Sequence, residues 1–191
     1  IDAVKFTKKF LNDMVKGNVG LEKLIITKKL NAFYKNPESI AHKVLADRMA
    51  KRDPGSKPSV GSRMPFAYIK TSGKVKLQGD KIESPEYIKK NNLKLDYEFY
   101  ITNQIMKPLL QLFGLVLENI PQFKGKLPSY KRKVRVLERK LEKKELTDEK
   151  FKVKITKLRD GLVKELIFNK SLGKKKQKTI QEALAGYFEK K

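Results

Sequence analysis

The sequence predicts a mainly α-helical fold (α+β) with one small antiparallel β element. Three observations carry that expectation. Apolar residues recur at helical spacing through most of the 191 residues, and several of these stretches open on a capping residue. The stretch from Met64 to about Leu77 alternates instead with the period of a strand. From Lys124 onward, narrow apolar stripes on a strongly basic background point to a second helical part.

Asp2 is placed to cap a first helix whose inner face holds Val4, Leu11, Met14 and Val15, and Gly17 is placed to stop it. Residues 24–27 form a short apolar run that reads as a strand. Asn36, Pro37 and Glu38 read as the start of a second helix, with Pro at its first position. Ile40, Val44, Leu45 and Met49 then follow at helical spacing, and Asp53-Pro54-Gly55 ends that helix. Met64, Phe66 and Tyr68 alternate with Pro65, Ala67 and Ile69. Thr71-Ser72-Gly73 reads as a turn, with Val75 and Leu77 on a return strand. Ser84-Pro85-Glu86 opens a short helix. Asp96 caps a long one carrying Tyr97, Tyr100, Ile101 and Ile105, which Pro108 kinks or interrupts. Residues 109–117 are the most apolar segment and are expected to be buried, and Ile120-Pro121 closes this globular part, residues 1–123.

Beyond it, Val134, Leu137 and Leu141 form one stripe. Phe151, Ile155, Leu158, Leu162 and Leu166 form another after Thr147-Asp148-Glu149. Together they predict a basic helical hairpin over residues 124–173, ended by Gly173, with a flexible tail at 174–191 that starts in a solvated run, Lys174-Lys175-Lys176-Gln177-Lys178. The chain begins with Ile1 rather than Met, and is expected to be a piece of something longer.

With 45 Lys and Arg against 21 Asp and Glu, the formal charge is +24. Such a surface attracts polyanions, because every phosphate neutralised releases a condensed counterion. No apolar run approaches the roughly 18 residues of a membrane span, so a membrane is not the expected partner. There is no cysteine, which rules out disulfides and thiolate metal sites. The scattered acids show no convergent pattern, and a Walker loop, a nucleophile elbow and metal-ligand spacing are all missing, so no catalytic or metal-binding residue is assigned.

The basic residues sit beside small, flexible ones, as in phosphate grips. Lys28 and Lys29 follow an apolar run. Arg48, Lys51 and Arg52 share a helix face at i, i+3 and i+4 and lead into a loop with Ser56, Lys57 and Ser59. Gly61 permits close backbone approach where the chain enters the next strand, and Arg63 can fork onto a phosphate. A solvated helix end, with cations favouring the C-terminal dipole, accounts for the same residues equally well on the sequence alone.

Three islands tip that balance. Residues 24–30 (LIITKKL), 41–70 (AHKVLADRMAKRDPGSKPSVGSRMPFAYIK) and 95–113 (LDYEFYITNQIMKPLLQLF) together resemble the thumb of a family B DNA polymerase of the replicative, delta-like kind. The resemblance extends from Ile1 to about Phe123 and is carried by Thr27, Lys28, His42, Arg48, Gly61, Arg63, Tyr97, Tyr100, Asn103, Gln104 and Pro108, more loosely by Lys29. It implies that the junction at 60–63 and nearby basic residues lie against product duplex. The expected DNA-binding set is then Lys28, Lys29, His42, Arg48, Lys51, Arg52, Lys57, Ser59, Gly61, Arg63, Tyr100 and Gln104, making phosphate rather than base contacts. His42 by itself reads as a backbone partner, and Tyr97 and Tyr100 fit either packing or a hydroxyl on a phosphate. Cellular enzymes of this type carry cysteine-rich metal modules after the thumb. The cysteine-free tail departs from them and is what a large DNA virus enzyme of this type is expected to have. The palm carboxylates that bind catalytic Mg2+ in such polymerases lie upstream of Ile1, so the piece needs no cofactor of its own and is expected to be inactive alone.

Gln181, Leu184, Tyr187 and Phe188 fit Gln-x-x-aliphatic-x-x-aromatic-aromatic, similar to the box that docks partners on PCNA-type sliding clamps as a hydrophobic plug. A last amphipathic helix packed on the hairpin is the alternative. The expected partners are therefore primer–template duplex, a sliding clamp and the polymerase palm, at a replication site in the nucleus or cytoplasm of an infected cell. A stand-alone basic nucleic-acid-binding module and a clamp-recruiting adaptor remain the other classes that fit.

Overall fold

A computed structural model describes residues 2–73 and 77–168. Val75, Gly173, the lysine run and the clamp-like motif lie outside the described residues. The chain forms two compact units. One comprises residues 13–101, and the other takes its described residues from 2–12 and 102–168. The dividing points fall inside α1 (Ala3–Lys16) and inside a π-helical turn, Tyr100–Ile105.

α1 starts where expected. The Asp2 carboxylate accepts from the amides of Val4 (3.0 Å) and Lys5 (3.2 Å), which pulls its pKa below the ordinary carboxylate value. It ends at Gly17, φ +78°, whose N–H reaches the Met14 carbonyl while Asn18 reaches Asp13, a paired closure that needs a left-handed residue. The buried stripe is Val4, Thr7, Leu11 and Met14. Val15 faces solvent, because it lies about 100° round the helix from Met14.

In the unit 13–101, three antiparallel strands are ordered β1 (Ile26–Lys29), β2 (Arg63–Tyr68), β3 (Ile82–Glu83). The register pairs Ile26 with Phe66, Thr27 with Pro65, Lys28 with Met64 and Lys29 with Arg63. β1 starts two residues later than the apolar run suggests. Leu24 closes a 3-10 turn (Leu21–Lys23) and turns inward, leaving the lysines to make the ladder. Pro65 is tolerated in the central strand because β3 reaches only Ala67 and Tyr68. The return partner of β2 is thus Ile82–Glu83, and Leu77 precedes a 3-10 turn (Gln78–Lys81) instead of forming a strand.

α2 (Ala41–Arg52) lies against β3 and that turn. It starts four residues later than the proline suggests. Asn36 makes no side-chain cap, Pro37–Ser39 close a separate 3-10 turn, and Ile40 is extended. Leu45 and Ala46 of α2 join Leu30, Met64, Phe66 and Ile82 in the core. Gly79 is buried where a Cβ would stand 2.5 Å from that of Val44, so only glycine lets the turn approach the helix. Ser84 caps α3 (Pro85–Lys90) and Asp96 caps α4 (Tyr97–Phe99), each by accepting from an amide three residues on.

In the other unit, α5 (Met106–Leu115) follows the π turn. Pro108 has no N–H and its ring would strike the Gln104 carbonyl of a regular helix, so the widened turn is the interruption expected there. Leu110, Phe113, Gly114 and Leu117 are buried, but Leu112 and Leu115 are exposed, because a helix of this length has a single inner face. α6 (Leu127–Glu142) and α7 (Asp148–Val163) form the expected hairpin, and α7 also packs on α5. At the corner Lys144 takes φ +57°, its N–H on Leu141 and that of Glu145 on Lys140, and Thr147 caps α7. Within the two helices only Val163 is buried.

Candidate nucleic-acid interface

Directly opposed residues of an antiparallel pair share a face, so Met64 and Phe66 turn Ile26 toward the core and leave Thr27, Lys29, Arg63 and Pro65 on the outer face. All four are exposed. Lys29 therefore stands opposite Arg63, an arrangement that repels unless an anion lies between. Among the described residues neither has an acid partner. Lys28 is opposite the buried Met64 yet exposed itself, its stem carrying the ammonium to water.

The loop between α2 and β2 is fastened to the same place. Asp53 accepts from Gly55 N–H (3.0 Å), and Ser56 donates its hydroxyl to the Asp53 carbonyl (2.8 Å). Ser59 receives the Ser62 hydroxyl on its carbonyl at 2.6 Å. Gly61, φ +88°, donates to Leu30 O at 2.7 Å, and Leu30 donates back to Ser62 O at 2.9 Å. Lys57, Ser59 and Gly61 are exposed on this loop beside the β1–β2 ladder, and Lys51 is exposed near the end of α2.

Arg48 and Arg52 are engaged differently from the expectation. Arg48 donates to the Gly79 carbonyl (3.1 Å) and to that of Ile82, and lies 3.4 Å from Glu83 and 3.6 Å from Asp80. Arg52 donates to Glu83 Oε2 at 2.9 Å and stacks 3.7 Å above the Tyr87 ring. Glu83 is 2% exposed. These guanidiniums bind α2 to β3, so both have partners within the protein where the sequence expected phosphate. Tyr100 takes the packing alternative. It is 3% exposed, accepts from Tyr68 N–H (2.9 Å) and donates to Leu24 O (2.7 Å), so its hydroxyl is spent in the core.

His42 is half-buried, with Nε2 3.0 Å from the Tyr34 hydroxyl, which accepts from Asn31 N–H at 2.7 Å. Burial, with the charge of Lys28 nearby, lowers its pKa, so the neutral ring is favoured. It pins the 31–34 turn to α2. Gln104 is exposed in the other unit, on the π turn. The structure thus sets Lys29 and Arg63 on one face with Gly61 beside them, places Lys57 and Ser59 on the adjoining loop, and turns Lys28 to the opposite face, toward His42. Glu83 and Tyr34 were not foreseen. The usable signal was the i, i+4 spacing of Arg48 and Arg52, which suits one shared carboxylate.

Among the described residues, no group of three or more His, Cys, Asp or Glu could hold a metal, and no helix is long and apolar enough to cross a membrane. The family model for DNA polymerase family B matches residues 2–116, more than half of the chain. The chain belongs to DNA polymerase family B. It is 47% identical over 174 residues to the DNA polymerase of Pyramimonas orientalis virus, covering 89% of this chain and 14% of that protein. It is 50% identical over 121 residues to the DNA polymerase of Acanthamoeba polyphaga mimivirus, covering 61% and 7%. Identity to the DNA polymerase delta catalytic subunit of Schizosaccharomyces pombe is 38% over 116 residues, covering 59% and 10%. This family B chain therefore spans at most 14% of the length of these relatives. Of its 191 residues, 89% is about 170, which leaves about 21 unmatched to the first relative; residues 124–168 number 45, so that match must enter the hairpin.

Proposed function

We propose that this family B chain is the thumb of a delta-like viral replicative polymerase, residues 1–123 forming the thumb proper, 124–173 an appended hairpin and 174–191 a clamp-seeking tail. It grips product duplex by its phosphates on the outer face of β1–β2 and the 57–62 loop. The observation that carries this reading is the exposed, acid-free opposition of Lys29 and Arg63. A sugar–phosphate backbone seated there neutralises both, and Lys57 and the backbone near Gly61 extend the contact. Phosphate contacts are blind to sequence, as a replicative enzyme needs. Nucleotidyl transfer belongs to the parent enzyme, working at a replication site of the infected cell. Among the described residues no acidic cluster fits its Mg2+: Glu83 is enclosed by Arg48 and Arg52, and Asp80 stands 3.6 Å from Arg48.

The Lys29→Gln/Arg63→Gln variant of the full chain tests the grip against a labelled DNA duplex. The slope of log affinity on log salt is expected to shrink by about 1.8, since each phosphate contact contributes about 0.9. An unchanged slope removes the grip from this face, and tighter binding to duplex RNA than to DNA favours a stand-alone RNA-binding module. For the tail, Leu184→Ala/Tyr187→Ala/Phe188→Ala is expected to abolish capture by a PCNA-type ring while leaving duplex binding intact. A chain that is captured by the ring but binds no duplex, and so keeps no activity once the tail is altered, instead favours an adaptor.

A further inference from the structure

The hairpin carries a second cationic surface that the grip on β1–β2 does not use. Residues 124–168 hold 16 Lys and Arg against 7 Asp and Glu. Two open depressions flank α6. One is lined by Lys124, Lys131, Arg132, Arg135 and Arg139 around Val136. The other is lined by Arg132, Lys133, Lys154 and Lys157 over Leu137 and Leu158. They share Arg132 and Val136, so the surface is continuous from one helix to the other, and no acid lines either one. The acids that do pair lie outside both depressions, Glu118 with Lys131 and Glu165 with Lys126. Among the described residues, Arg132, Arg135 and Arg139 have no ion pair, and at i, i+3 and i+7 they share one side of α6.

Three occupants can be weighed. The C-terminal segment 169–191 has seven lysines against two glutamates and is repelled. An acidic protein surface would need an anchor pocket, yet no aromatic ring lines these depressions and both are open. A nucleic-acid backbone needs neither pocket nor aromatic ring. It needs cations spaced along a line, and guanidinium forks fit phosphate best. From Leu127 to Arg139 the helix runs about 18 Å at 1.5 Å per residue, about five nucleotides of one strand at 3.4 Å each. The exposed Val136 lines both depressions and gives the arginine and lysine stems an apolar floor to lie along.

We infer that the α6–α7 face built on Arg132, Arg135 and Arg139, with Lys154 and Lys157 beside it, is a second phosphate-binding surface, one that tracks a nucleic-acid backbone independently of the β1–β2 grip. The experiment uses the full chain, a fluorescein-labelled DNA duplex of arbitrary sequence, and Arg132→Gln/Arg135→Gln/Arg139→Gln. Glutamine keeps helix propensity, and the circular dichroism spectrum checks the fold. The salt slope is expected to fall by about 2.7, so that the wild type's advantage shrinks about 40-fold between about 50 and 200 mM salt. The matching Arg→Lys triple variant is expected to keep the wild-type slope, because it keeps the charge. Should the glutamine triple fail to fold, Lys154→Gln/Lys157→Gln reads the same surface from α7, with an expected fall of about 1.8. Wild-type slope and affinity in the glutamine variants would overturn the inference and hand the arginines to an acidic protein. Because Lys29→Gln/Arg63→Gln reads a separate surface, failure of either proposal leaves the other standing.

Discussion

Replacing Tyr100 with Phe is expected to cost about 2–4 kcal/mol in denaturant unfolding, an unusually large loss for one oxygen atom. The ring stays, so its edge contacts with Tyr68 and Phe99 stay too. What goes is a hydroxyl that accepts from Tyr68 N–H at 2.9 Å and donates to Leu24 O at 2.7 Å, tying the end of β2 to the chain two residues ahead of β1. Each backbone group left buried without a partner costs about 1–3 kcal/mol. The same hydroxyl has an alkaline signature. Burial, reinforced by the nearby charges of Tyr68 and Asp96, pushes its pKa up to about 12 from an ordinary 10.0. The folded chain thus holds this proton more tightly than the unfolded chain. The stabilisation is complete below pH 10 and is lost as pH rises toward 12, a change of about 3 kcal/mol at 1.36 kcal/mol per unit. Tyr68, Tyr97 and Tyr130 are also raised by burial, but wild type and variant share them. The difference between the two unfolding curves should therefore narrow across that window. Equal stability at neutral pH would show that the strut carries no load.

Glu83→Gln is expected to lose about 2–3 kcal/mol, because it leaves two guanidiniums facing a neutral amide. The carboxylate accepts from Ser84 N–H at 3.0 Å and from Arg52 at 2.9 Å, with Arg48 Nε at 3.4 Å. Arg48 and Arg52 keep 25% and 35% of their side-chain surface in water, so the loss falls short of the 3–5 kcal/mol of a fully enclosed pair. A double-mutant cycle with Arg52→Gln should return a coupling of about 1 kcal/mol or more. Additive losses would mean the three groups are neighbours without being partners.

Short-range signals read well from the sequence. Asp2, Ser84, Asp96 and Thr147 all cap the helices assigned to them, because a cap is decided within three residues. The family was legible in the three islands, and the helical hairpin in its two stripes. Strand limits were not, since β1 is defined by a partner whose first residue, Arg63, opposes Lys29 across a long connection. For the same reason Arg48 and Arg52 read as a solvated helix end. The carboxylate that holds Arg52 comes 31 residues later, at the far edge of the sheet. Residues 109–117 were read as wholly buried because composition cannot say which side of a helix meets the core.

The small sheet also bears on how copies of this polymerase piece behave at high concentration. Its border strands are the usual docking points for stray chains, and both are guarded here: β1 is four residues long and ends in two lysines, and β3 is two residues long. A second copy approaching either border meets charge or runs out of partner at once, so edge-to-edge assembly into fibrils finds no template in it.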